Sequence, residues 1–219
     1  MSQPLQSSRD KILDVGEALF ARRGYAGVGL REVAEQAGLS KSSLFHHFAG
    51  KVQLYCEVLH RTLERMQTHL QPALDAAGDV PTRLDRWVDA LIDGLVEHPP
   101  TARLLLRAMV EDESLPPGAE LLPEAKAAEQ ALASTLGGIA SLIRAGVACG
   151  ELRPVSVAHT IQTLVGATVY HFASGEIGDG LLGRPLLSAE AVRARREEIK
   201  QLLHGGLYPA RTAPLGGTS

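Results

Sequence analysis

Apolar residues recur every three or four positions along almost the whole chain. No run alternates apolar and polar residues, with β-branched or aromatic types, between turn signals. The pattern predicts an all-α protein. A first helix is expected over about 9–23, burying Ile12, Leu13, Gly16, Leu19 and Phe20, and stopping at Gly24, a residue suited to closing helices. A two-turn helix follows over about 30–37, with Leu30, Val33, Ala34 and Ala37 on one face, and Gly38 breaks it. Ser40 then stands where a hydroxyl can accept from an amide two or three residues on. Leu44 and Phe48 supply the buried face of this third helix, and Ala49 and Gly50 end it. From Lys51 a long helix reads on through Tyr55, Val58, Leu59, Leu63, Met66 and Leu70 to about 76. Further helices are expected near 81–97, 101–112, 121–149, 156–173 and 188–207, about nine in all.

Two short helices joined by a turn at Gly38, Leu39 and Ser40 have the spacing of a helix-turn-helix, whose second helix is sized for the DNA major groove. With Leu44 and Phe48 facing inward, Lys41, Ser42, Phe45 and His46 fall on the opposite side of a 3.6-residue helix. The expected organisation is a three-helix DNA-binding module over 8–62, then a six-helix domain over 63–208. The Pro and Gly breaks between helices are too short to be mobile linkers, and only the residues from about 209 on read as untethered.

Composition changes this picture little. Of 219 residues, 45% are hydrophobic and 21% charged, which describes a packed globular chain. A net charge of −3 argues against general polyanion binding, but its distribution matters. Residues 1–62 hold eight Lys and Arg against six Asp and Glu, a net +2, which leaves −5 for the rest. A mildly basic end on an acidic body fits a protein that touches phosphates at one end. Cys56 and Cys149 are far apart and fit no disulfide, redox or metal pattern. Charged residues interrupt the apolar stretches short of the roughly 18 residues of a membrane span, and Met1 to Arg9 lacks a signal core. A cytoplasmic protein without a membrane partner is expected.

Catalytic and cofactor signatures are missing from the sequence: it contains no HExxH, GxSxG or P-loop, so no enzyme is expected. Gly178, Gly180 and Gly183 satisfy a literal GxGxxG, yet no strand precedes them and Pro185 follows. They read as a surface loop, and no cofactor is expected. His46 and His47 are helical neighbours that diverge by about 100° and cannot share one metal ion.

The segment GYAGVGLREVAEQAGLSKSSLFHHFAGKVQL resembles the TetR family of bacterial regulators: a Gly-aromatic pair after helix one, an Arg-acidic-aliphatic-Ala core in helix two, and a Leu-aromatic-x-His-Phe recognition helix followed by Lys. The resemblance covers roughly the first 60 residues; beyond them only the helical plan and GVACGELRP are familiar. It implies a long connecting helix and a helical ligand-binding and dimerisation domain. It puts Arg31 at the groove edge, Lys41, Ser42 and Ser43 at base edges and phosphates, Phe45, His46 and His47 along the backbone, and Lys51 as a phosphate clamp, with Ser40 capping the reading helix. Two departures from the family pattern stand out. Val28 and Gly29 stand where Thr or Ser is usual, so helix two is less well capped, and Phe45 replaces a Tyr whose hydroxyl would bond a phosphate.

In the second domain Leu84, Trp87, Val88, Leu91, Ile92 and Leu95 form a broad stripe that suits either plain core or a ligand-cavity wall. Trp87, Met66, Met109 and His60 are its candidate ligand contacts. Ile161, Leu164, Val165 and Phe172 on one late helix, and Val192, Ile199, Leu202 and Leu203 on another, resemble the family's dimerisation pair; the alternative is that they face the chain's own core. The implied protein is a homodimeric, ligand-responsive repressor of double-stranded operator DNA, with a small-molecule effector that the sequence leaves unidentified.

Overall fold

Helix signals spaced a few residues apart divide the chain into α1 (Ser8–Arg23), α2 (Leu30–Gln36), α3 (Lys41–His47), α4 (Lys51–Asp75), α5 (Val80–Glu97), α6 (Pro100–Val110), α7 (Pro123–Cys149), α8 (Val157–Ala173), α9 (Glu176–Leu182) and α10 (Ala189–Leu207). These come from a computed structural model that describes residues 7–110 and 116–209. Among the described residues there is no strand. The expected end of the sixth helix at Glu111 and Asp112, the tail from 210 and the first six residues lie outside the described residues.

One helix was not expected. The stretch read as a loop contains α9, and its glycines serve packing rather than a nucleotide. A side chain added at Gly178 would collide with Ser174 Oγ and would stand 2.7 Å from the end of the Leu186 side chain, so a larger residue there would have to displace both. Gly183, at φ 64°, ends the helix in the left-handed region.

Two apolar clusters form. The first joins Ile12, Phe20, Val33, Leu44, Phe48, Leu54 and Tyr55 from α1–α4, and Leu104 of α6 plugs into it. The second gathers Met66, Leu84, Trp87, Ile92, Leu95, Ile139 and Ile143 from α4, α5 and α7, with α8 and α10 alongside. The helix α4 belongs to both clusters, so a boundary at 62–63 falls inside a continuous helix, next to a fully buried Thr62.

A polar joint accompanies the apolar one. Glu17 of α1 is buried and accepts from Arg61 at 3.2 Å and Arg65 at 2.6 Å, both on α4. Thr101 of α6 accepts from Arg65 at 3.0 Å and donates to Glu17 at 3.3 Å. Arg107 of α6 donates to the carbonyls of Ala21 and Arg22, which the end of α1 leaves without helical partners. The three helices are thus fastened by charge as well as by packing.

On the far side α10 is held to α5 by Arg196 with Asp89 and Asp93, at 3.0 and 2.6 Å, and by Lys200 with Asp89 at 2.8 Å. This turns Val192, Ile199 and Leu203 into the chain's own core, where Leu164 and Phe172 of α8 join them. Of the eight residues expected at a dimer face, these five are buried within the single chain; helical periodicity finds an apolar face but cannot say whether it meets the same chain or another. Leu202 is 66% exposed, and Ile161 and Val165 are half-buried.

The apolar run of α7 is interrupted by charge at Glu129 and Arg144. By length and composition it is apolar enough to cross a membrane, because Ala, Gly and Leu dominate between Glu129 and Arg144. Its Ala125, Ala128, Ile139, Leu142 and Ile143 are buried. Cys56 is buried, and burial pushes its thiol up to about 11, whereas Cys149 is exposed; both are free.

Candidate nucleic-acid interface

The turn before α3 is set by Gly38. At φ 69° it allows the Leu39 amide to reach the Ala34 carbonyl at 2.9 Å, and its own amide to reach Glu35 at 3.1 Å. These paired bonds close α2 and turn the chain sharply, while Leu39 packs on the module core. Ser40, in extended backbone, then accepts from the Ser43 amide at 3.1 Å. Its hydroxyl also lies 2.8 Å from that of Ser42 and 3.0 Å from that of Ser43, so the three serines form one hydroxyl cluster at the start of α3.

Leu44 and Phe48 anchor α3 with almost no exposed surface. That orientation leaves Lys41, Ser42, Phe45, His46 and His47 exposed, with Ser43 half-buried. Phe45 is 43% exposed, unusual for a large apolar side chain, and the Lys41 ammonium sits 5.6 Å from its ring centre. The helix therefore presents a cation, hydroxyls, imidazoles and an aromatic face to solvent from a rigid base.

Arg31 opens the adjoining edge from α2. Its side chain is 85% exposed and, among the described residues, pairs with Glu35 at 2.8 Å. Water and salt screen such an exposed pair, so exchanging the carboxylate for a phosphate costs little. Gly29 gives α2 no side-chain cap, consistent with the departure noted at that position.

Lys51 is placed differently from a free clamp. Its ammonium donates to the Ala26 carbonyl at 3.2 Å and lies 4.4 Å from the centre of the Tyr25 ring; partial burial lowers its pKa from the ordinary lysine value. It pins the α1–α2 loop onto α4. Tyr25 in turn meets Tyr55 edge to face at 5.2 Å, and Tyr55 meets Phe20 at 5.0 Å.

Two supporting residues escaped the sequence reading. The Arg9 guanidinium stacks 5.5 Å over Phe48 and pairs with Glu57 at 2.7 Å, bracing the base of α3; nothing in the sequence pairs those positions. Glu17 did leave a signal: it falls one turn after Leu13 on the buried face of α1, while Arg61 and Arg65 are one turn apart on α4.

In the body an apolar cavity of about 230 Å³ opens between α4, α5, α6, α7 and α8. Trp87 and Met66 line it, and Met109 lies on its exposed rim. His60 is not among its lining residues, and Val165, expected at a dimer face, is.

Fold and site together define a helix-turn-helix protein with a helical body that encloses an apolar cavity. Residues 12–58 match the family described as "Bacterial regulatory proteins, tetR family". The chain is 35% identical over 95 residues to the HTH-type transcriptional activator FasR of Mycolicibacterium smegmatis, covering 43% of each protein, so the match spans less than half that relative's length. In three dimensions it resembles PfmR, a TetR family transcriptional regulator from Thermus thermophilus, with a TM-score of 0.68 and 25% identity, covering 94% of this chain and all of the other. The ketosteroid transcriptional regulator KstR2 of Mycobacterium tuberculosis shares the fold at a TM-score of 0.72 and 20% identity, covering 94% and 98% of the two chains. The match over residues 12–58 marks the N-terminal module as tetR-like, and the chain as a whole is similar in fold to a TetR family regulator.

Proposed function

We propose that this protein is a sequence-specific DNA-binding transcriptional regulator, a homodimeric repressor that leaves its operator when a small molecule enters the helical body. The observation that carries the reading is the anchored α3, with Lys41, Ser42, Phe45 and His46 exposed on a helix of groove-entering size. Lys41 can pair with guanine O6 and N7, while the serine hydroxyls and amide ends suit phosphate oxygens.

The release step is supported by shared walls. Leu59, Leu63 and Met66 of α4 and Leu105 and Met109 of α6 border the cavity, and those same helices grip α1 through Glu17 and Arg107. A ligand that spreads α4 and α6 would bias the position of α3 through a two-state joint. Favouring the non-binding state by about 2.7 kcal/mol would reduce operator affinity about 100-fold. For the dimer, the exposed Leu202 and the groove between α8 and α10 offer an apolar face, and a two-fold axis there would set two α3 helices about 34 Å apart. A regulator of genomic DNA works in the cytoplasm. An activator is the second reading, favoured by the name of FasR.

The test is a gel shift on fragments selected from the source genome. Lys41→Ala should cost about 1–3 kcal/mol of affinity and relax the sequence preference at one base pair. Undiminished, equally selective binding would overturn the assignment.

A further inference from the structure

The chemistry of the cavity wall limits what can occupy it. Among its described lining residues there is no Lys, Arg or His, and one carboxylate, Glu129, stands exposed at the rim beside Leu132 and Met109. An anionic group carried inward would shed its water with no positive partner, and would pass a like charge on the way. Trp87 supplies the opposite preference. It is buried, it lines the cavity, and among the described residues its indole N–H has no acceptor. A buried donor left unpaired is costly, so a ligand that brings an oxygen to it gains more than an ordinary exchange with water.

We infer that the effector is an uncharged lipophile carrying a hydrogen-bond-accepting oxygen, of ketone or ester type, and is neither a carboxylate nor a phosphate ester. This rests on the cavity being the effector site, as proposed above. Met66 and Met109, flexible and unbranched, let the wall adapt to a ligand somewhat larger than the cavity.

The chain's only tryptophan is the one that lines the cavity, so binding can be read from its emission without DNA. Purified full-length protein would be titrated with methyl decanoate, decanoate and decylamine at neutral pH. The ester should bind at least about tenfold more tightly than the carboxylate and should shift the Trp87 emission. Glu129→Lys should narrow that gap by admitting decanoate. Trp87→Phe, followed by calorimetry, should weaken the ester about fivefold, in line with the loss of one neutral hydrogen bond. Decanoate binding as tightly as the ester, or decylamine binding more tightly, would overturn the ligand class while leaving the DNA reading intact. Silence of Trp87 towards all three probes would overturn the cavity as effector site. Loss of gel shift in the unliganded protein would instead count against the DNA reading alone.

Discussion

Around α3 the large apolar side chains meet a filled core: Ile12, Leu44 and Leu54 are fully buried, and Phe20, Tyr25 and Tyr55 close on one another ring to ring. In the body Trp87 and Met66 are almost as buried, yet they border a cavity of about 230 Å³. The two regions use similar residues to different ends. A surface that must hold side chains in register with base edges needs a base without slack, because packed interiors transmit small displacements. A receptor needs unfilled apolar volume with adaptable walls. The contrast teaches that burial alone does not mark a core as finished; what matters is whether the buried side chain has neighbours on every side.

The largest expected effect tests the filled side of this comparison. Leu44→Ala should cost about 3 kcal/mol of stability, the lost transfer energy plus a void that the surrounding aromatics cannot close. It should abolish operator binding, since α3 loses its anchor. Urea unfolding with a gel shift would check both. A loss below about 1 kcal/mol would mean that the module core relaxes far more freely than its packing implies.

Next comes the joint between the regions. Glu17→Gln leaves Arg61 and Arg65 without their shared buried carboxylate. Breaking a buried pair costs about 3–5 kcal/mol, and the lower end applies because Asp14 still pairs with Arg61 at 2.7 Å. For a chain of this size about 3 kcal/mol corresponds to roughly 6–12 °C in melting temperature. If the joint carries the signal, ligand binding at Trp87 should survive while its effect on DNA affinity shrinks. A variant that keeps full coupling would show that the two cores communicate through apolar contacts such as Leu104 alone.

How much of this was legible in the sequence divides along the same line. The first four helices could be located within a residue or two because their punctuation is local: Gly24 and Gly38 need positive φ, and Ser40 caps its own helix. The outward face of α3 followed from two anchors, Leu44 and Phe48, and the period of the helix. In the body the helices themselves were legible, but their faces were not. The stripes on α8 and α10 suited either a partner or the chain's own core, and the burial of five of their eight apolar residues within the chain was not legible, because the ion pairs that clamp α10 to α5 join positions more than a hundred residues apart. For α9 the glycines lowered helix propensity, and the packing against Gly178 is visible only in three dimensions. His60 lies a residue from Leu59 on the same helix yet misses the cavity, since neighbouring helical positions diverge by about 100°.

The smallest effect sharpens the comparison within the module itself, between its two short helices. α3 begins with a bonded cap and α2 does not. Gly29 already has the extended backbone of a cap, φ −106° and ψ 138°, and a side chain added there meets nothing within 4 Å. Gly29→Ser therefore needs no rearrangement, and its hydroxyl can accept from an amide in the first turn of α2. The gain over glycine should be only about 0.3 kcal/mol, visible as a rise of roughly 1 °C in melting temperature. Its effect on DNA is the more informative measurement. If the bare amides at the start of α2 bind a phosphate, the new hydroxyl competes for one of them, and operator affinity should fall about two- to threefold although the protein is more stable. If affinity rises with stability, α2 only supports α3, and the phosphate contacts belong to α3 and its serine cluster.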